Sequence, residues 1–114
     1  MPLATPDMLM ATALVRMTEK RFGCLGIVDE HGALMGIVTD GDLRRSMAPD
    51  LLTRRAGDVM TASPRTIGPD ALAVEALHAM NAHQRPVTTL FVVDPAGRPL
   101  GILHVHDLLR AGLA

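Results

Sequence analysis

The sequence predicts an α+β fold built from two copies of one β-α-β-β-α unit. Three observations lead there. The stretch "IVDEHGALMGIVTDGDLRR" (27–45) lies over "VVDPAGRPLGILHVHDLLR" (92–110) at an offset of about 65 positions, the size of one supersecondary unit. Apolar residues follow the same order in both copies, a helical stripe and then two short extended runs. The 114 residues, 48% of them hydrophobic, suffice for one ordinary domain or for two small ones packed as a unit.

Within the overlay Val28 falls on Val93, Asp29 on Asp94, Gly32 on Gly97, Gly36 on Gly101, Ile37 on Ile102, Asp42 on Asp107, Leu43 on Leu108 and Arg45 on Arg110. Upstream the offset is slightly smaller, since Pro6-Asp7 falls on Pro69-Asp70, Leu14 on Leu77 and Met17 on Met80. An insertion of about two residues near "RPVTTL" reconciles the two spacings. Each copy opens a helix at Pro-Asp, with Asp7 and Asp70 as caps or first-turn carboxylates. The apolar stripe is Leu9, Ala13, Leu14 and Met17 in the first copy, and Ala71, Val74, Leu77, Ala79 and Met80 in the second.

A strand follows, "CLGIVD" or "TLFVVD", then a glycine-bearing turn, "DEHG" or "DPAG", of the kind that joins hairpins. The return strand, "LMGIVT" or "PLGILH", runs into a short helix, "GDLRRSM" or "HDLLRAGL". A further short strand is expected around Thr66-Ile67; the first copy starts too late to show all of its equivalent. The expected division is a first motif at 1–48 with its N-terminal strand truncated, a linker at 49–57 and a second motif at 58–114. Packing one repeat on the other would hide both apolar faces, giving pseudo-two-fold symmetry and paired clefts at the seam.

Composition narrows the function. A net charge of −1, with no long basic run and only Phe22 and Phe91 as aromatics, argues against a nucleic-acid partner. No apolar run approaches the roughly 20 residues that span a bilayer, and no signal-peptide pattern opens the chain, so a cytoplasmic location is expected. The single cysteine, Cys24, has no internal disulfide partner and reads as a small buried residue.

The segment "GIVTDGDLRR" (36–45) holds the main chemical question. Thr39 and Asp42 match a capping box, in which the hydroxyl and a carboxylate three residues on satisfy amides reciprocally. They equally suit a ligand: the Thr39 hydroxyl and helix N-terminal amides would hold a phosphate, and the Asp42 carboxylate would accept from two ribose hydroxyls. In the second copy His104 replaces Thr39 while Asp107 keeps the place of Asp42. His is not a favoured N-cap, so an Asp retained beside it points to a task of its own. His104 would take over the anion contact or sit as a hydrogen-bonded interface histidine. His106 is a further candidate anion contact, as are Arg44, Arg45 and Arg110. A metal site is not expected, because no Cys/His cluster completes one around His104, His106 and Asp107. No nucleophile–base pair emerges either, so no catalytic residue is assigned.

A strand of the form G-h-h-T-x-x-D closing a duplicated β-α-β-β-α unit resembles a CBS-domain pair, or Bateman module, over essentially the whole chain. More closely, "GCLGIVDEHGALMGIVTDGDLRR", "DVMTASPRTI" and "GILHVHDLLRAGL" resemble the C-terminal region of bacterial arabinose-5-phosphate isomerases, of the SIS-CBS sugar isomerase family. In that family an SIS domain carries the catalysis; the sequence has none, and its first repeat lacks a counterpart of Asp58-Val59-Met60, which implies a piece of a longer enzyme.

The resemblance implies a regulatory module binding a nucleotide or nucleotide-sugar in the inter-repeat cleft, with AMP, ATP or CMP-Kdo, the activated lipopolysaccharide sugar, as ligand and no required cofactor. It places ligand contacts at Thr39, Asp42, His104 and Asp107. It places base contacts at Thr66 and Ile67, with Val87 and Thr88 lining the same cleft; ordinary edge-strand packing is the other reading of all four. Asp42→Ala and Asp107→Ala are then expected to fold normally and to lose affinity at one cleft each. Its partners would be the SIS catalytic domain of the parent chain and a second copy, associating through the CBS helices. The other reading is a tethering module that dimerises and binds no ligand.

Overall fold

The computed structural model describes residues 1–20, 23–71, 73–81 and 89–104. It divides into two compact units, Met1–Pro64 and Arg65–Ala114.

In the first unit the strand β1 (Leu3–Ala4) leads to helix α1 (Met10–Lys20), the hairpin of β2 (Cys24–Val28) and β3 (Leu34–Thr39), and helix α2 (Asp40–Arg45). A 3-10 turn (Leu51–Thr53), helix α3 (Ala56–Val59) and strand β4 (Thr61–Ala62) follow. The sheet order is β1-β2-β3-β4, with β1 parallel to β2 and the other pairs antiparallel. β2 reads as an unbroken apolar run because Cys24, Leu25, Gly26 and Ile27 are all buried. Its core partners are Met10, Ala13 and Met17 of α1, spaced for one helical face, with Val38 from β3. Met10 takes the place expected of Leu9, which is exposed, while Leu14 packs partly buried against the cluster.

The helix also starts later than its Pro-Asp signal. Asp7 is not a cap; it accepts from the Thr5 hydroxyl at 2.6 Å in a turn closed by the Met8 N–H to Thr5 carbonyl bond. The segment expected as a linker is packed. Leu51, Ala56 and Val59 join the same core, and the Ala56 and Gly57 N–H groups donate to the Met8 and Pro6 carbonyls at 2.8 and 2.9 Å.

The second unit places β5 (Thr66–Ile67) beside β6 (Thr89–Val93), which pairs in turn with β7 (Pro99–His104); helix α4 covers Ala73–Asn81. Ala76 and Met80 of α4 meet Leu90, with Ile67, Ala79 and Leu103 packed around them.

The duplication holds at atomic level. Leu3 pairs with Gly26 as Thr66 pairs with Phe91, and Cys24 opposes Thr39 as Thr89 opposes His104. In each hairpin one aspartate oxygen takes two amides. Asp29 Oδ1 accepts from His31 and Ala33 at 2.8 and 3.0 Å, and Asp94 Oδ1 from Ala96 and Arg98 at 2.9 Å each. Gly32 and Gly97 close the two turns at φ 83° and 82°, where a side chain would be strained. The register of β1 gives the first unit a two-residue leading strand in the position β5 takes in the second. Leu3-Ala4 carried no sequence signal because it lacks the β-branched pair that marked Thr66-Ile67.

Candidate functional site

The end of β3 shows the cap half of the choice posed by Thr39 and Asp42. Thr39 leaves the strand at φ −120°, ψ 174°, an extended N-cap geometry for α2, and its hydroxyl accepts from the Asp42 N–H at 3.3 Å. Asp42 Oδ2 accepts in return from the Thr39 N–H at 2.8 Å and from the Thr39 hydroxyl at 3.0 Å. The capping box is therefore formed. The helix is also polarised as its dipole favours, with Asp40 and Asp42 in the first turn and Arg44 and Arg45 in the last.

Asp42 does more than cap. It is only 3% exposed, and its second oxygen, Oδ1, accepts from the Arg45 guanidinium and from the hydroxyl of Thr61 on β4. Burial pushes the carboxyl pKa up. The bonds from Thr61, Thr39 and Arg45 outweigh burial, and the group ends below its ordinary value. Four donors among the described residues thus meet a carboxylate that offers about four lone-pair positions. Thr61 is the member that sequence reasoning missed. It lies 19 residues away on an exposed two-residue strand, and only the β3–β4 register, Ile37 opposite Thr61, brings it near.

The other expected contacts divide between the two units. Arg45 is spent on Asp42, although its side chain stays 60% exposed, while Arg44 is exposed beside it. In the second unit His104 is half-buried at the end of β7, at the ladder position that Thr39 holds on β3. Thr66 is exposed on β5, and Ile67 packs against the Ala76–Met80–Leu90 cluster. Val87, Thr88, His106, Asp107 and Arg110 lie outside the described residues.

Three further features bear on chemistry. Burial, reinforced by the negative charge of Asp40, pushes the Cys24 thiol up to about 11, which removes its nucleophilic form near neutrality. Among the described residues no group of three or more His, Cys, Asp or Glu side chains is placed to hold a metal ion. Among them, too, no helix is long and apolar enough to cross a membrane. An open cleft of about 440 Å³ lies in the first unit between the Thr5–Asp7 turn and the hairpin at Val28–Glu30, and none of the expected site residues lines it.

Comparison with known proteins fits this geometry. The CBS domain family model matches residues 1–49 and 56–114. Arabinose 5-phosphate isomerase KdsD of Pseudomonas aeruginosa is 43% identical over 95% of the chain and 34% of its own length. The chain spans about a third of the length of the curated relatives it matches. Among solved structures, CBSX2 of Arabidopsis thaliana in complex with AMP superposes with a TM-score of 0.80 at 26% identity, over 97% of this chain and 86% of that one. The CBS domain pair of MJ0100, in complex with 5′-methylthioadenosine and S-adenosyl-L-methionine, gives 0.83 at 25% identity, over 96% and 86%. With two family matches laid end to end on two units of the same strand register, this chain belongs to the CBS-domain family as a CBS pair.

Proposed function

We propose that the chain is the regulatory module of a longer arabinose-5-phosphate isomerase and that it binds a nucleotide or nucleotide-sugar. The observation that carries this is the 43% identity to KdsD over 95% of the chain. The adenosine-type ligands named for CBSX2 and MJ0100 support the ligand class. Catalysis, interconverting arabinose 5-phosphate and ribulose 5-phosphate, belongs to an SIS domain elsewhere in the parent chain, working in the cytoplasm on the route to the lipopolysaccharide sugar Kdo. The module associates with a second copy through its helices. Ligand binding acts by favouring one packing of module and enzyme over another.

The ligand is AMP, ATP or CMP-Kdo. Each offers a ribose diol for Asp42 or Asp107. Each also offers an anion for Thr39, His104, His106 or the guanidiniums of Arg44, Arg45 and Arg110. The base rests on Thr66, Ile67, Val87 and Thr88. CMP-Kdo has the added logic of end-product feedback, its Kdo carboxylate supplying a second anion.

A thermal-shift panel of AMP, ATP, CMP and CMP-Kdo tests the reading. A ligand at about 100 times its Kd stabilises by roughly 2.7 kcal/mol, a shift of several degrees for a domain of this size. A flat response to all four ligands would instead establish the tethering module. One observation favours that second reading: the acceptor positions of Asp42 are already filled from within the fold.

A further inference from the structure

We infer that Thr61 competes with a ligand's vicinal diol for the Asp42 carboxylate, so that occupying this site releases β4. The inference rests on the nucleotide reading above and specifies how the site is regulated.

A diol needs two acceptor positions on a carboxylate whose four positions are taken. The two oxygens are not equally easy to clear. The donors on Oδ2 are the N–H and hydroxyl of Thr39, held by the N-cap geometry, and removing them unwinds the first turn of α2. The donors on Oδ1 come from exposed groups, the Arg45 side chain and Thr61. Arg45 reaches Asp42 from a side chain that is 60% exposed and has solvent to move into, whereas Thr39 is fixed by the cap. Oδ1 is therefore the oxygen that a diol takes.

Losing Thr61 has a structural consequence. The Asp42–Thr61 bond ties β4 to the start of α2. What then holds β4 is a short ladder, Gly36 opposite Ala62 and Ile37 opposite Thr61, and a Ser63 N–H to Met35 carbonyl bond at 3.3 Å. Ser63 sits at φ 51°, a left-handed conformation that a non-glycine residue leaves readily when its surroundings loosen. Through Ser63 and Pro64 the chain passes directly into the second unit. A diol at Asp42 thus acts on the connection between repeats, and the state it selects is the one with the Thr61 hydroxyl displaced.

The test is titration calorimetry of AMP and CMP, which share the diol, and of 2′-deoxy-AMP, which lacks it. The proteins are the wild-type chain, Thr61→Val, which keeps the shape without the hydroxyl, and Thr61→Ser, which keeps the hydroxyl. Competition requires Thr61→Val to bind the ribonucleotides roughly five- to tenfold more tightly, the worth of one displaced hydrogen bond. Thr61→Ser should match wild type, and the gain should vanish with 2′-deoxy-AMP. In hydrogen exchange, saturating AMP should speed exchange of the amides at 61–63 in the wild-type chain, a readout that stands even if Thr61→Val fails to fold. Ribonucleotide binding that Thr61→Val leaves unchanged or weakens, or that protects those amides, overturns the competition and leaves the nucleotide reading intact. No binding of AMP or CMP to any of the three proteins overturns the competition, and a flat response to ATP and CMP-Kdo as well ends the nucleotide reading.

Discussion

Asp42 shows how one side chain can satisfy a local motif and a distant contact together. Its capping box needs only residues three apart, whereas its bond to Thr61 needs the β3–β4 pairing. Asp42→Ala should therefore cost about 2–3 kcal/mol by urea denaturation, because it removes a buried charged acceptor that takes four hydrogen bonds. That replaces the sequence-based expectation of a normally folding variant. The carboxyl's depressed pKa fixes the pH dependence. Folding favours the ionised form, so its stabilisation is complete above the ordinary carboxyl value near pH 4 and drains as pH falls through the lower folded value. Denaturation midpoints followed from about pH 6 to pH 2 should fall in wild type and fall less steeply in Asp42→Ala, where Asp7 and Asp29 keep their own depressed values. Cys24, buried with its thiol at about 11, should resist a thiol reagent at about pH 8 until the chain unfolds.

Among elements, the two hairpins were the most legible. Their turns are local, and Asp29–Gly32 and Asp94–Gly97 repeat one hydrogen-bond pattern at the 65-residue offset. Gly32→Ala and Gly97→Ala should each destabilise by about 1–2 kcal/mol, the cost of placing a side chain in the left-handed region. The first Pro-Asp misled because Asp7 finds Thr5 before it can cap α1, and only the stripe's first position changed, from Leu9 to Met10. β1 and β4 were illegible for a different reason. Leu3-Ala4 and Thr61-Ala62 lack the β-branched pair that marked β5, and their pairing depends on the strand beside them. At the site, the residues of "TDGDLRR" were legible as a cap or a ligand contact, but which donors would fill Asp42 was not. Thr61 belongs to no motif.

For the whole molecule, the repeat boundary in sequence and the boundary of the compact units differ. The second family match begins at residue 56, yet α3 and β4 complete the core and sheet of the first unit, which runs to Pro64. A fragment ending at residue 57, the edge of the expected linker, should accordingly melt well below one ending at Pro64. It loses the buried Val59 and the Thr61 bond to Asp42, and paired thermal melts would measure the gap.

The sequence by itself determined the duplication, both hairpins with their turns and the CBS family, because each depends on residues close in the chain or on the repeat of one pattern. Only the tertiary structure decided which residues close the first sheet, that Leu51 and Ala56 of the expected linker enter the first core, and how Asp42 spends its lone pairs. Those outcomes turn on strand register, and register is set by which apolar faces meet across the sheet.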